Sequence, residues 1–186
     1  PTHYQRLFGG DQVAIGGHRW QVRIGFGHSP EHAALYCAEL GVLISGDMLL
    51  PKISTNVSVL AVTPLADSLG DYLQSIDHYR ELPAGTLVLP SHGLPFYGIE
   101  NRVKALHAHH QERLQVLEEH CTTPRSAAEL LMTLFSRDLD PHQTMFAMGE
   151  AIAHLNRLEY AGRLLRVEDA HGLVRFVRRQ AAVSSA

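Results

Sequence analysis

The stretch of sequence that decides the fold runs from Gly25 to Leu50 and reads GFGHSPEHAALYCAELGVLISGDMLL. His28 lies in a Gly-His-Ser-Pro turn and is followed by two short apolar runs, HAALYCA and GVLISG, which we predict to be β-strands. Asp47 comes directly after the second run, among apolar neighbours. Because burying a carboxylate is costly unless a cation compensates its charge, this pattern predicts that Asp47 pairs with a base or binds a metal ion.

The elements on either side of this stretch predict an α/β domain. Residues 9–23 alternate between apolar and polar side chains around a Gly-Gly pair, which is typical of a hairpin, and residues 64–82 carry the apolar stripe of a helix. A further short strand in GTLVLPSHG ends just before His92. In layered α/β folds functional groups gather on the loops at strand ends, which is where His28, Asp47 and His92 fall.

The composition changes after a long helix predicted over residues 99–120, and this change predicts a second, smaller domain. Two helices are predicted in PRSAAELLMTLFSR and PHQTMFAMGEAIAHLNRLEYAG, followed by a hairpin that turns at residues 169–172. Helices followed by a two-stranded wing are typical of a winged helix. We therefore predict domains at residues 1–120 and 121–186.

The bulk composition is that of an ordinary globular protein with a real core, since 45% of the 186 residues are hydrophobic. The net charge of −3 gives no reason to expect a polyanionic partner for the whole chain. Two cysteines, Cys37 and Cys121, make no disulfide framework and predict a reducing cytoplasm. No apolar run approaches the roughly 20 residues of a membrane span, so we expect no membrane partner.

Histidine is abundant, with 13 copies, and it is the commonest metal ligand. A single histidine beside a turn is more often a hydrogen-bonded structural residue, but two histidines and one carboxylate in matching contexts suit zinc, manganese or iron. His28, Asp47 and His92 form that set. Four other histidines lie on a polar helix and are predicted to be solvated rather than ligating: His107, His109, His110 and His120.

Three motifs, GHSPEHAALY, LISGDMLL and LPSHGLP, resemble the later metal motifs of the metallo-β-lactamase-fold hydrolases, the superfamily that includes glyoxalase II. The resemblance implies the C-terminal half of an αββα sandwich, followed by the winged-helix extension of one branch. It implies that His28 binds a first metal, that Asp47 bridges both metals, and that His92 binds the second. His32, four residues after His28, is expected to orient the loop or a ligand rather than to bind metal.

The family's first metal motif, His-x-His-x-Asp-His, has no copy in this sequence. The HAHH run at residues 107–110 lacks the aspartate and has the pattern of a helix. We therefore expect this chain to be the C-terminal part of a larger hydrolase, with an incomplete metal site and no activity alone. Its expected partner is the missing N-terminal half or a second copy of the chain.

The resemblance implies a metal-dependent hydrolase whose two metal ions activate a hydroxide that attacks an ester, thioester or phosphodiester of a small molecule. Zinc is the expected metal, with iron or manganese as alternatives. Asp47 is the predicted catalytic residue, because it fixes the spacing of the metals. Four residues in the loops after Asp47 and His92 are candidate substrate contacts, with a plain surface position as the alternative for each: Lys52, Tyr97, Asn101 and Arg102.

Two other functions stay open at this point. Five arginines predict a basic wing, which would let an RNA- or DNA-processing hydrolase hold its substrate, although nucleic acid is the less favoured partner. The chain is alternatively a non-catalytic remnant that packs with a partner through an apolar sheet face. The five arginines are Arg163, Arg166, Arg175, Arg178 and Arg179.

Overall fold

The computed structural model describes residues 4–135 and 137–179, so the outer ends of both predicted domains lie outside the described residues. The chain divides into two compact units, one made of residues 1–56 and 70–107 and the other of residues 57–69 and 108–186. This division falls inside the long helix rather than after it. The domain boundary between residues 120 and 121 stays a prediction.

A five-stranded sheet forms the frame of the first unit. Its strands are β1 (Gln12–Ile15), β2 (His18–Gly25), β3 (His32–Cys37), β4 (Val42–Gly46) and β5 (Leu87–Pro90), and they lie in the order β1-β2-β3-β4-β5. Neighbours pair antiparallel except β4 and β5, which pair parallel. The hairpin and both strands predicted from the opening stretch are confirmed.

The connection from β4 to β5 explains why these two strands run parallel. A parallel pair needs a crossover, and here it contains helix α1 (Ser68–Asp77) and a 3₁₀ turn (His78–Glu81). The helix predicted over residues 64–82 is confirmed over residues 68–81, the last four of which form the 3₁₀ turn, but it does not extend over residues 64–67. Its N-terminal part forms successive turns instead, in which the Thr63 amide donates to Leu60 and the Ala66 amide donates to Thr63.

The two faces of the sheet differ in burial. In β4, Leu43 and Ser45 are fully buried, whereas Ile44, which points to the opposite face, keeps 38% of its surface exposed. Ile15 of β1 is 48% exposed. Large apolar side chains thus remain accessible on the edge strand β1 and on β4, whose alternate residues Leu43 and Ser45 are in the core.

The second unit consists mainly of helices and a small hairpin. Helix α2 (Ile99–His120) enters it at residue 108 and is followed by α3 (Ala127–Leu134), α4 (Pro141–Tyr160), β6 (Leu164–Glu168) and β7 (Val174–Arg178). Ser126 and Asp140 each form a capping box, which fixes where α3 and α4 begin. The order of elements is the predicted one, and the bounds of α2 match the prediction. The winged-helix assignment stays a prediction.

One of the four helix histidines predicted to be solvated is in the core. His110 is fully buried, and its Nδ1 lies 3.1 Å from Nε2 of His154, which is also fully buried. The prediction was wrong because the HAHH run looks polar, while the face of α2 that carries His110 packs on α4.

None of the helices that the structure describes is both long and apolar enough to cross a bilayer.

Candidate metal centre

The sheet topology brings the predicted site residues His28, Asp47 and His92 close together. Gly46 at the end of β4 pairs with Pro90 at the end of β5, so the residues that follow these parallel strands emerge at one edge of the sheet. Asp47 Oδ1 lies 3.4 Å from His92 Nε2, and Asp47 Oδ2 lies 3.6 Å from His28 Nε2. Each carboxylate oxygen therefore faces a different histidine.

The ring of His28 is fixed by a backbone group. Its Nδ1 lies 2.9 Å from the carbonyl oxygen of Asn56, which can only accept, so Nδ1 carries the proton. Nε2 is then the unprotonated nitrogen of the neutral ring, and it is directed at Asp47. This is the orientation that a metal-ligating histidine needs.

The loop after β4 holds Asp47 in place through contacts that sequence reasoning missed. The Thr55 hydroxyl donates to the carbonyl oxygen of Asp47 at 2.5 Å, and the Tyr72 hydroxyl donates to that of Met48 at 3.3 Å. Burial raises the pKa of Tyr72 to about 12, which keeps this hydroxyl protonated. The groups that accept these bonds, like the Asn56 carbonyl, belong to the backbone, so no residue type in the sequence marks them.

His32 contacts the backbone of the predicted ligand Asp47. The Asp47 amide donates to His32 Nε2 at 3.4 Å, and the ring centroids of His32 and His28 lie 6.0 Å apart. Burial lowers the pKa of His32, and the nearby His28 lowers it further, partly opposed by the Asp47 carboxylate. This geometry agrees with an orienting role, which stays a prediction.

The chemistry of this donor set fits metal ions. Asp47 Oδ1 is buried and accepts no hydrogen bond within the described part of the chain, which is costly for a carboxylate oxygen. With metal–nitrogen and metal–oxygen bonds of about 2.0–2.2 Å, two donors on one zinc ion lie about 3.4 Å apart. The separations from Asp47 to both histidines are close to that value.

The arrangement differs from three ligands that share a single ion. Across residues 4–135 and 137–179, one group of three donor side chains has all its donor atoms within 4.8 Å of one another, and it is His18, Cys37 and Glu39. The histidines around Asp47 are instead divided between its two oxygens. This favours two ions that share Asp47 over one ion bound by all three residues.

A cavity of about 440 Å³ opens beside His92. Its walls are apolar apart from His92 and one cationic residue, Lys52, which was a predicted substrate contact. Tyr97 and Asn101, also predicted to contact substrate, are exposed and do not line it. The lining residues are Pro51, Lys52, Ile53, His92, Gly93, Leu94, Pro95 and Phe96.

Arg102 is engaged with the protein backbone rather than directed into this cavity. Its guanidinium donates to the carbonyl oxygens of Leu50, at 2.5 Å, and Ile53, at 2.7 Å. Leu50 and Ile53 lie on either side of Lys52 in the sequence, and Lys52 and Ile53 line the cavity. The structure thus places Arg102 as a clamp on the loop after Asp47, a role that its position in the sequence did not reveal.

The basic wing is largely neutralised inside the second unit. Four of the five arginines are ion-paired with acidic side chains, so little positive charge is left to attract a phosphate backbone. Nucleic acid stays the less favoured partner that the sequence predicts. The pairs are Arg163 with Glu118, Arg166 with Glu159, Arg175 with Glu129 and Asp169, and Arg178 with Glu118.

Comparison with known families gives the class of protein to which this chain belongs. Residues 3–92 match the family model described as "Metallo-beta-lactamase superfamily", and residues 114–179 match that described as "Metallo-beta-lactamase-like, C-terminal domain". This chain belongs to the metallo-beta-lactamase superfamily. Members of this family usually bind metal ions.

Solved and curated relatives support this assignment. A beta-lactamase domain protein from Burkholderia ambifaria is 50% identical, with a TM-score of 0.93 over 96% of this chain and 53% of its own. A metallo-beta-lactamase family protein from Thermus thermophilus is 35% identical, with a TM-score of 0.84 over 96% of this chain and 56% of its own. The probable metallo-hydrolase YqjP of Bacillus subtilis (strain 168) is 26% identical in an alignment of 148 residues that covers 75% of this chain and 44% of YqjP. This chain therefore spans about half the length of these relatives.

Proposed function

We propose that this chain contributes His28, Asp47 and His92 to the two-metal centre of a hydrolase, with Asp47 shared between the ions. The observation that carries the proposal is the division of the Asp47 carboxylate. One oxygen faces His28, the other faces His92, and the buried Oδ1 accepts no hydrogen bond from the described residues. Zinc suits nitrogen and oxygen donors of this kind, with iron or manganese as alternatives.

The protein's own residues prepare this site. The Asn56 carbonyl keeps the proton of His28 on Nδ1, so Nε2 is free to bind, and the Thr55 hydroxyl holds the backbone of Asp47. Asp47 would hold an ion with each of its two carboxylate oxygens and would not transfer a proton. When bound, the two ions would lower the pKa of a water molecule and polarise the bond to be hydrolysed.

We assign the remaining ligands to polypeptide outside this sequence. The chain spans about half of its solved relatives, and the side chains of Ile15 and Ile44 leave apolar surface on the sheet for a further layer. Two ligands per ion are fewer than the three protein ligands of a catalytic zinc site. The chain alone is therefore proposed to be inactive. The N-terminal half of the hydrolase, or a second copy of this chain, is its proposed partner.

The substrate is proposed to be a small molecule with an ester, thioester or phosphodiester bond. The cavity beside His92 is lined by apolar side chains such as Leu94 and Phe96, which would hold an apolar group of the substrate. Lys52 in its wall would attract a negative charge. The cytoplasm remains the predicted location, in keeping with two cysteines that are free thiols.

The test joins the part of the Burkholderia ambifaria relative that this chain does not cover to residues 1–186 of this chain. Metal content and hydrolysis of ester, thioester and phosphodiester substrates are measured for this chimera and for its Asp47→Asn and Asp77→Asn variants. We expect the chimera to hold about two metal ions more than its Asp47→Asn variant does and to turn over one substrate class, whereas Asp77→Asn should keep both the metal content and the turnover. Turnover that survives Asp47→Asn, or a folded chimera that holds no metal, contradicts the proposal.

A further inference from the structure

A second group of metal-binding side chains lies at the other end of the first unit's sheet. His18 begins β2, Cys37 ends β3, and Glu39 follows in the turn toward β4. The β2–β3 ladder pairs Gln21 with Tyr36, and its continuation brings His18 opposite Glu39. One donor atom from each of the three side chains lies within 4.8 Å of the other two.

The group is separate from the centre around Asp47. His18 and Gly25 are the two ends of β2, and seven residue steps of about 3.3 Å place those ends about 23 Å apart. His28 follows the Gly25 end. An ion held by His18, Cys37 and Glu39 therefore shares no ligand with the ions proposed at Asp47, and the inference that follows does not rest on the proposed function.

The three donors differ in chemistry, and together they select the kind of ion. An imidazole nitrogen, a cysteine sulfur and a carboxylate oxygen suit a borderline-soft divalent ion, and zinc is the commonest one that takes all three. Calcium and magnesium take oxygen ligands and would not use Cys37. The thiol must lose its proton to bind, and that proton passes to solvent.

The three side chains differ in burial, so the group is accessible to solvent on the side of His18 and Glu39. Cys37 is fully buried, whereas the side chains of His18 and Glu39 are 39% and 55% exposed. His18 Nδ1 and Glu39 Oε2 lie 2.9 Å apart, and each side chain has a donor atom within 4.8 Å of the Cys37 sulfur. An ion can reach the site from solvent, and its fourth coordination position would face water.

We propose that His18, Cys37 and Glu39 form a zinc site that clips the turn after β3 to the start of β2. An ion bound here ties the hairpin of β1 and β2 to the connection between β3 and β4. Because the unfolded chain does not hold these three side chains together, binding stabilises the folded first unit. The site has three protein ligands and lies outside the cavity beside His92.

Cobalt(II) titration of the purified chain tests the proposal, because cobalt replaces zinc and gives a sulfur-to-metal charge-transfer absorption only when a thiolate binds it. The sequence contains two cysteines, so Cys37→Ser and the matched control Cys121→Ser separate the sources of this absorption. Asp47→Asn serves as the control for the other centre. We expect the absorption in the unsubstituted chain, in Cys121→Ser and in Asp47→Asn, and its loss in Cys37→Ser.

Two outcomes overturn the proposal: no charge-transfer absorption in the unsubstituted chain, or an absorption that Cys37→Ser leaves unchanged. If circular dichroism shows that Cys37→Ser is unfolded, the partly exposed ligands decide instead. His18→Gln and Glu39→Gln should each weaken cobalt binding by at least about tenfold. Removing only the hydrogen-bond partner of a metal ligand already lowers metal affinity by about that factor, and these substitutions remove a ligand itself. Unchanged cobalt affinity in both of these variants would also refute the site.

Discussion

His32 packs so closely against Gly46 that a Cβ at position 46 would stand 2.5 Å from His32 Cε1. Gly46 also has a φ of +55°, a conformation that other L-residues adopt only at a cost. Glycine is thus required at position 46 for two reasons. Its backbone conformation disfavours other residues, and His32, whose Nε2 accepts from the Asp47 amide, leaves no space for a Cβ.

Replacing Gly46 should therefore lower the free energy of unfolding by more than the strain of a left-handed backbone alone would. Gly41, at the other end of β4, has a similar φ of +61° but open space around its Cβ position, so it is the matched control. We expect Gly41→Ala to lower the free energy of unfolding by about 1–2 kcal/mol, and Gly46→Ala by about 2–5 kcal/mol. Urea denaturation measures both, and equal losses would show that the contact with His32 carries no cost.

Arg102 is expected to control the order of the loop after Asp47. A lysine cannot donate to both carbonyl oxygens with the fixed geometry of a guanidinium, so Arg102→Lys should free Leu50 or Ile53. The free energy of unfolding should fall by on the order of 1–2 kcal/mol, and amide hydrogen exchange at Lys52 and Ile53 should become faster. Arg80→Lys is the control, since Arg80 makes its paired hydrogen bonds to Glu100 on the surface. Unchanged exchange in Arg102→Lys would contradict the clamp.

The buried His154 should make the second unit sensitive to acid. Burial is the main cause that lowers the pKa of His154 to about 4, with Arg113 and His109 adding to it, while its bond to the Glu150 carbonyl opposes it. At pH values between the unfolded pKa of about 6.5 and this folded pKa, His154 is protonated in the unfolded chain but not in the folded chain. Stability therefore falls as the pH falls through this window, by on the order of 3 kcal/mol in total.

Urea denaturation followed by far-ultraviolet circular dichroism at pH 7 and pH 5 measures this loss. His154→Gln should show a smaller loss between the two pH values, because glutamine does not titrate. Burial also raises the pKa of Glu150, which acts in the opposite sense, but the residue is present in both proteins and cancels in the comparison. His120→Gln, an exposed histidine on α2, is the control and should behave like the unsubstituted chain. A pH dependence unchanged in His154→Gln would contradict the assignment.

Much of the first unit could be predicted from the sequence because its signals are local. Alternating apolar residues and turn glycines gave the strands, and the loops at the strand ends gave His28, Asp47 and His92 as one candidate set. The parallel pairing of β4 and β5, which brings Asp47 close to His92, was not predicted. The contacts that hold these side chains, such as the Asn56 carbonyl, use backbone atoms that every residue has, so the sequence carries no sign of them.

Side chains whose burial depends on a distant partner were predicted poorly. His110 looked like a solvated helix residue, because nothing near it in the sequence indicates that His154, 44 positions away, completes its surroundings. The sequence left Arg102 open as a substrate contact or a surface residue, and its contacts with the backbone were not visible because their acceptors lie about 50 residues earlier in the chain. In both cases local polarity was visible and the tertiary contact was not.

The most direct measurement for the central claim is a zinc titration of this chain in which the imidazole resonances of His28 and His92 are followed by NMR. Sharing of Asp47 predicts that zinc shifts both resonances and that Asp47→Asn weakens the response of both by at least about tenfold, while Asp77→Asn weakens neither. If Asp47→Asn leaves the zinc response of either histidine unchanged, Asp47 does not bridge two metal sites.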